Sequence, residues 1–206
     1  MNYGEARDRA LQFINQYSIA GTKIASSYNN QEDYILRIPG LVNDAQMIIA
    51  SGPRRMEESV LLDPRDAADM GSMYRYTLPE DLMDFVPGGL LVMSDDGPGN
   101  FTGYTTLGED YILVPKTLKS GAYLRYYRRP QFLDPKPLDT APLDNVALAQ
   151  EPIPYFVAAE LVMRDDAFAY ATLYNIWLDR LGTIGRLPRP ERQLVQDVYG
   201  WGGSNG

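Results

Sequence analysis

The acids Asp63, Asp66 and Asp69, and the loop Asp95-Asp96-Gly97-Pro98-Gly99-Asn100, hold the side chains of this 206-residue chain most open to chemistry. Two carboxylates across a pocket can divide the work of general acid and general base, as in glycoside hydrolysis. Asp95, Asp96 and Asn100 offer the hard oxygens that calcium takes. Their spacing does not match an EF-hand loop, no acid stands at its last position, and Asp-Gly turns commonly join strands. No metal is expected there. No base accompanies Asp63, Asp66 and Asp69 in sequence, so they read as a solvated loop.

The sequence has no cysteine and no histidine. That removes thiolate nucleophiles, disulfides, cysteine zinc sites, serine–histidine triads and two-histidine metal centres. Catalysis would have to run on carboxylates, Lys, Tyr or an oxygen-ligated metal. The expectation is a protein that is not an enzyme and carries no cofactor. Nineteen basic against 27 acidic residues give a net charge of −8, which opposes nonspecific gripping of nucleic acid or of an anionic membrane. No apolar run approaches the length of a membrane span, and Met1-Asn2-Tyr3-Gly4-Glu5 lacks the basic start of a secretory signal. A soluble protein, not secreted by a classical signal, is expected.

Tyr123, Tyr126, Tyr127, Arg128 and Arg129 form the one aromatic-basic cluster, a composition that can stack on bases. On a strand, Tyr123 and Tyr127 share one face and Tyr126 and Arg128 the other, so the cluster reads as a core side with a solvated edge rather than as a base-stacking surface. With 15 tyrosines, the chain is rich in amphipathic anchors suited to protein contacts. Tyr123, Tyr126 and Tyr127 are candidate subunit-interface aromatics. The second candidate is the C-terminal stretch. Pro188 and Pro190 keep it extended, and Leu194, Val195 and Val198 fall near one side of Glu191–Tyr199. Trp201 follows among glycines. Arg186, Leu187, Arg189, Leu194, Val195, Val198, Tyr199 and Trp201 are read as a docking arm, flexible in the free subunit and ordered on a partner.

The elements that must position these residues follow from periodicity. Ala6, Ala10, Phe13, Ile14 and Tyr17 recur three and four apart, predicting a helix over Glu5–Tyr17 that Gly21 ends. Asn29 and Asn30, each followed three residues on by an acid, predict the cap of a second helix. Its stripe of Tyr34, Ile38, Leu41, Val42, Ala45, Ile48 and Ile49 crosses Pro39, where a kink or break is expected. Six strands are expected at Arg55–Leu62, Met73–Leu78, Gly89–Ser94, Phe101–Thr106, Tyr111–Pro115 and Ala122–Arg128, with a single helical turn at Leu78–Leu82. The Asp95–Asn100 cluster reads as the turn between two of them. A proline-marked linker leads to a short turn at Asn145–Gln150 and to helices over Ile153–Met163 and Ala167–Leu181, the second capped by Asp165-Asp166. The pentapeptide Glu-Asp-Tyr-Ile-Leu occurs at Glu32–Leu36 and Glu109–Leu113, read as helix in the first copy and strand in the second.

The fold expected is therefore α+β. Residues 1–53 and 138–185 form an antiparallel helical bundle from both chain ends. Residues 54–137 form an inserted small antiparallel β-sandwich or barrel with its linker, and residues 186–206 an extended C-terminal arm.

Asp33-Tyr34-Ile35-Leu36-Arg37-Ile38-Pro39, Leu41-Val42-Asn43-Asp44-Ala45, the Leu78–Leu82 turn, Tyr126-Tyr127-Arg128-Arg129-Pro130 and Pro154–Leu161 with Asp165-Asp166 occur in an order that resembles the head-to-tail connector, or adaptor, proteins of tailed bacteriophages. The likeness spans most of the chain from Asp33 to Leu181. It implies a structural virion protein, made in the host cytoplasm and sited at the head–tail interface. It further implies a ring, commonly of twelve copies, that binds beneath the portal, meets the tail or the next connector ring, and extends the channel for double-stranded DNA without reading its sequence. An acidic lumen would let DNA slide, because it does not hold phosphates. Two readings from other classes stay open: a carboxylate-based hydrolase using acids of the β module, and a monomeric ligand-binding β domain.

Overall fold

The computed structural model describes residues 1–15, 31–94, 97–118 and 121–186. Among these residues the chain is α+β, with four α-helices and two small antiparallel sheets that do not close into a barrel.

Helix α1 (Tyr3–Phe13) begins in a capping box. The Asn2 side chain accepts from the Glu5 backbone N–H, and the Glu5 carboxylate accepts from the Asn2 N–H. The helix ends earlier than Tyr17: Asn15, just past it, takes the left-handed conformation at φ 57°. Gly21 and the cap residues Asn29 and Asn30 lie outside the described residues. Helix α2 (Gln31–Ser51) runs through Pro39 unbroken. The residue whose carbonyl Pro39 leaves without a donor, Ile35, is exposed, and Pro39 itself is buried, so packing holds the helix across the missing bond. Tyr34, Ile38, Val42, Ala45 and Ile49 are buried at three- and four-residue spacing, whereas Ile48 of the expected stripe is exposed.

Helix α3 (Ile153–Val162) is buried nearly all round, because α1, α2 and α4 (Ala167–Arg186) all pack against it. Asp166 caps α4 by accepting from the Phe168 and Ala169 N–H groups. Leu173, Trp177 and Ile184 of α4 join Ile38, Val42, Ile153 and Val157 in one buried cluster drawn from all four helices. Backbone bonds from Tyr3 and Gly4 to Ala141 and Asp139 tie the proline-rich linker to α1.

Between α2 and α3 the described residues form eight strands. The first sheet has the order β1-β8-β4-β5, from β1 (Met56–Leu62), β8 (Ala122–Arg128), β4 (Leu82–Ser94) and β5 (Gly97–Phe101). The second has the order β2-β3-β7-β6, from β2 (Ala68–Met70), β3 (Met73–Thr77), β7 (Tyr111–Pro115) and β6 (Thr105–Leu107). Leu62, Leu90, Leu124 and Tyr126 of the first sheet share a second buried cluster with Tyr76, Ile112 and Val114 of the other.

Three strand expectations need correction. The strand expected from Gly89 starts at Leu82, because Gly88 and Gly89, at φ 107° and 76°, absorb a register shift between Phe85 and Leu90 instead of ending the strand. A side chain at Gly89 would collide with the Phe101 carbonyl oxygen. The strand expected over Phe101–Thr106 is two strands, and Gly97–Asn100, expected as turn, pairs with β4. The Leu78–Leu82 segment makes a single turn closed by the Leu82 N–H on the Pro79 carbonyl, with no helix assigned. The first pentapeptide, Glu32–Leu36, lies in α2 as expected, whereas in the second only Tyr111–Leu113 are strand, at the start of β7, and Glu109 and Asp110 form the turn before it.

Candidate functional site

The tyrosines stand on β8, a central strand between β1 and β4. Alternation sends Ala122, Leu124 and Tyr126 inward and Tyr123, Arg125 and Tyr127 outward. Register places Tyr123 between Leu61 of β1 and Leu91 of β4, an apolar row across the outer face in which Leu61 and Tyr123 are exposed. The rest of that face is polar. The Arg55 guanidinium lies over the Tyr127 ring, 4.9 Å from its centroid, and donates to the Asp84 carboxylate at 3.0 Å. Arg125 pairs with Glu57 at 2.8 Å.

Tyr126 is buried, and its hydroxyl donates to the Asp81 carboxylate at 3.1 Å. Burial, with the carboxylate beside it, pushes the phenol up to about 12. Of the three tyrosines, Tyr123 and Tyr127 reach the surface, and Tyr126 holds the core of the β unit.

At the end of β8, Arg128 makes a bidentate pair with Asp144 at 2.6 and 2.9 Å, and Asp144 also accepts from the Gln131 N–H. The guanidinium bond holds the Asp144 carboxyl below the usual carboxylate range. Behind it, the Gln46 carbonyl oxygen of the side chain accepts from the Asp144 N–H, and Asn145 donates to the Gln46 backbone. These bonds fasten the strand end, the linker and α2 into one polar joint. Two of its atoms, Gln46 Nε2 and Asn145 Oδ1, are buried without a protein partner.

The acids singled out for chemistry are engaged on the surface. Asp63 caps the short 3-10 helix Pro64–Asp66 and binds the Arg65 guanidinium, which pulls its carboxyl down to about 2. Asp69 binds Lys116. Asp66 is exposed. Asp95 and Asp96 lie outside the described residues, and among those described no group of three or more Asp or Glu could hold a metal ion. Glu80, Glu109 and Asp110 line an open concavity of about 890 Å³ together with Met47, Leu82 and Phe85.

Of the arm residues, Arg186 is the last residue of α4. Leu187, Arg189, Leu194, Val195, Val198, Tyr199 and Trp201 lie outside the described residues. Sequence reasoning missed the outward side of α4, where Phe168 is 83% exposed. The signal was present: no charged residue stands between Ala167 and Leu178, while Leu173 and Trp177 already account for the buried face. Among the described residues, no helix is long and apolar enough to cross a membrane.

Comparison with protein-family models finds none that matches this sequence, and comparison with curated proteins finds no match either.

Proposed function

We propose that this protein is a structural connector of a tailed bacteriophage, assembling as a ring below the portal, joining head to tail and lengthening the DNA channel. In this reading the four helices act as an antiparallel bundle, and the two sheets as a small sandwich carried on it. The observation that supports it is the order of elements: two helices, an inserted all-β unit and two further helices, with the buried cluster of the helices built from both ends of the chain. That is the order in which the connector-like segments occur.

Two features agree with an assembling role. The outer face of the first sheet carries the exposed row of Leu61 and Tyr123, and the net charge of −8 suits a lumen through which DNA slides. Residues from Arg186 onward serve as the arm that reaches the portal or a neighbouring copy, burying Trp201 and its aliphatic neighbours there at ~25 cal/mol per Å², partly offset by ordering entropy.

Electron microscopy of the protein expressed with the portal of the same phage tests the reading. A ring of copies stacked on the portal, concentric with its channel, is expected. A protein that stays monomeric with that portal, or that binds only at the capsid surface, would overturn it.

A further inference from the structure

We propose that residues 191–196 add a strand to the open edge of β1 in their own chain, parallel to it, with Arg192 beside Glu58, Leu194 beside Val60 and Val195 beside Leu61. The proposal concerns the lone subunit and stands apart from the assembly reading above.

An edge strand leaves every second backbone N–H and C=O without a ladder partner, and proteins shorten, kink or cover such edges. Among the described residues, β1 and β5 bound the first sheet and β2 and β6 the second. Strands β2 and β6 are three residues long, and β5 carries Pro98 between two glycines. Strand β1 has none of these devices. Its seven residues include neither proline nor glycine, and they pair with β8 in unbroken register. Five in a row, Glu57 to Leu61, are exposed. Val60 is 36% exposed although its cross-strand neighbour Leu124 is buried, and Leu61 is 47% exposed beside Tyr123. A long, regular edge with apolar side chains on both faces is the template to which an extended segment adds.

The fold delivers such a segment. Helix α4 ends at Arg186, and a side chain at Gly185 would stand 3.8 Å from the Pro53 Cβ, so the helix stops beside the lead-in to β1. The 20 residues that follow, 187–206, lie outside the described residues. Pro188 and Pro190 favour an extended course for the first four, which at ~3.1 Å per residue span about 12 Å. From Pro53 to Met56 is at most about 10 Å. Residue 191 therefore reaches the Met56 end of β1, and a chain that continues along the edge runs parallel to it.

Side-chain chemistry sets the register. Glu191 falls beside Glu57, whose charge Arg125 balances at 2.8 Å. Arg192 falls beside Glu58, whose contact with Arg128 is long at 3.6 Å. Leu194 and Val195 then cover Val60 and Leu61. A slip of one residue either way sets a glutamine, Gln193 or Gln196, beside Val60 or Leu61 and turns every side chain to the other face. A second copy of β1 fits less well: paired antiparallel about Ser59, it would set Glu57 and Glu58 opposite Leu61 and Val60. The added strand ends level with Leu62, so Val198, Tyr199 and Trp201 lie past it and remain the reaching part of the arm.

The absence of cysteine permits a direct test in the full-length chain. Val60→Cys with Leu194→Cys, dilute and mildly oxidised, should close a disulfide within one chain, seen as a faster-migrating monomer on a non-reducing gel. The control pair Met70→Cys with Leu194→Cys, Met70 being 50% exposed on the edge of the other sheet, should close at least several-fold more slowly. Equal rates would mean that the segment has no preferred edge. Covalent dimers whose yield falls on dilution would mean that it meets another chain. Either overturns the proposal. Hydrogen exchange supplies a second readout: the amides of residues 57–61 that do not bond β8 should exchange several-fold more slowly in the full chain than after deletion of residues 187–206. Leu194→Asp should speed them as the deletion does. Equal exchange in all three chains would overturn the added strand, and protection kept by Leu194→Asp would overturn its register. Should the deletion unfold the chain, the two cysteine pairs still decide.

Discussion

Tyr126 carries two roles in one side chain, an apolar ring in the β core and a hydroxyl bonded to Asp81. Burial favours its neutral form, so the folded phenol titrates near 12 rather than 10. The stability linked to this shift is fully present below about pH 10 and is lost as pH rises toward 12. Denaturant midpoints compared at pH 9 and 11.5 should therefore fall more in wild type than in Tyr126→Phe. At neutral pH that variant should lose about 1 kcal/mol with the hydrogen bond. Trp177, 1% exposed and packed on Phe156 at a ring distance of 5.2 Å, is the larger stake. Trp177→Ala should cost about 3–5 kcal/mol in chemical unfolding. On the chemical side, Asp63 and Asp69 are bound to Arg65 and Lys116, and the connector reading predicts no turnover of glycosides or phosphoesters. Turnover abolished by Glu109→Gln or Asp110→Asn, in the concavity they line, would overturn that prediction.

The elements were readable wherever one period ran uninterrupted. Strands β7 and β8 lie where strand-type composition put them, and the two faces of β8, though not which of them turns inward, followed from counting by twos. Strand β4 was half hidden, because Pro87-Gly88-Gly89 has the composition of a break while tertiary pairing uses the glycines as a bulge. Three-residue β2 is too short to leave a periodic trace. Gln46, polar yet 0% exposed, is held by a joint made almost 100 residues further on, which no local pattern announces. The face of α4 escaped for another reason: it is defined by the charges it lacks. Gly89→Ala should destabilise the β unit by more than 1 kcal/mol, since it brings a methyl group against the Phe101 carbonyl at a positive φ. Asp144→Ala should loosen the joint by about 1–2 kcal/mol and leave both buried clusters in place. Because Arg128 lowers the Asp144 carboxyl, that increment is present above about pH 4 and disappears as pH falls through the lowered value, so wild type and variant should converge in acid.

The whole molecule separates its two cores along the chain in unlike ways. The β core is drawn from one continuous stretch, Leu62 to Tyr126, whereas the helical core joins Tyr3 to Ile184. Removing residues 187–206 should leave the far-ultraviolet circular dichroism of the subunit essentially unchanged and prevent its incorporation beneath the portal; normal incorporation would make the arm dispensable. The divided helical core also sets a timetable for synthesis. When α1 and α2 leave the ribosome, the helix that buries their stripe, α3, is still about 100 residues away, some 5–20 s at 5–20 residues per second. During that wait the β unit can finish folding, while the nascent chain trails an amphipathic segment that a chaperone would recognise. Ribosome-bound chains halted before Ile153 should thus contain a protease-resistant β unit and a cleavable N-terminal third, and chains extended past α4 should resist cleavage in both.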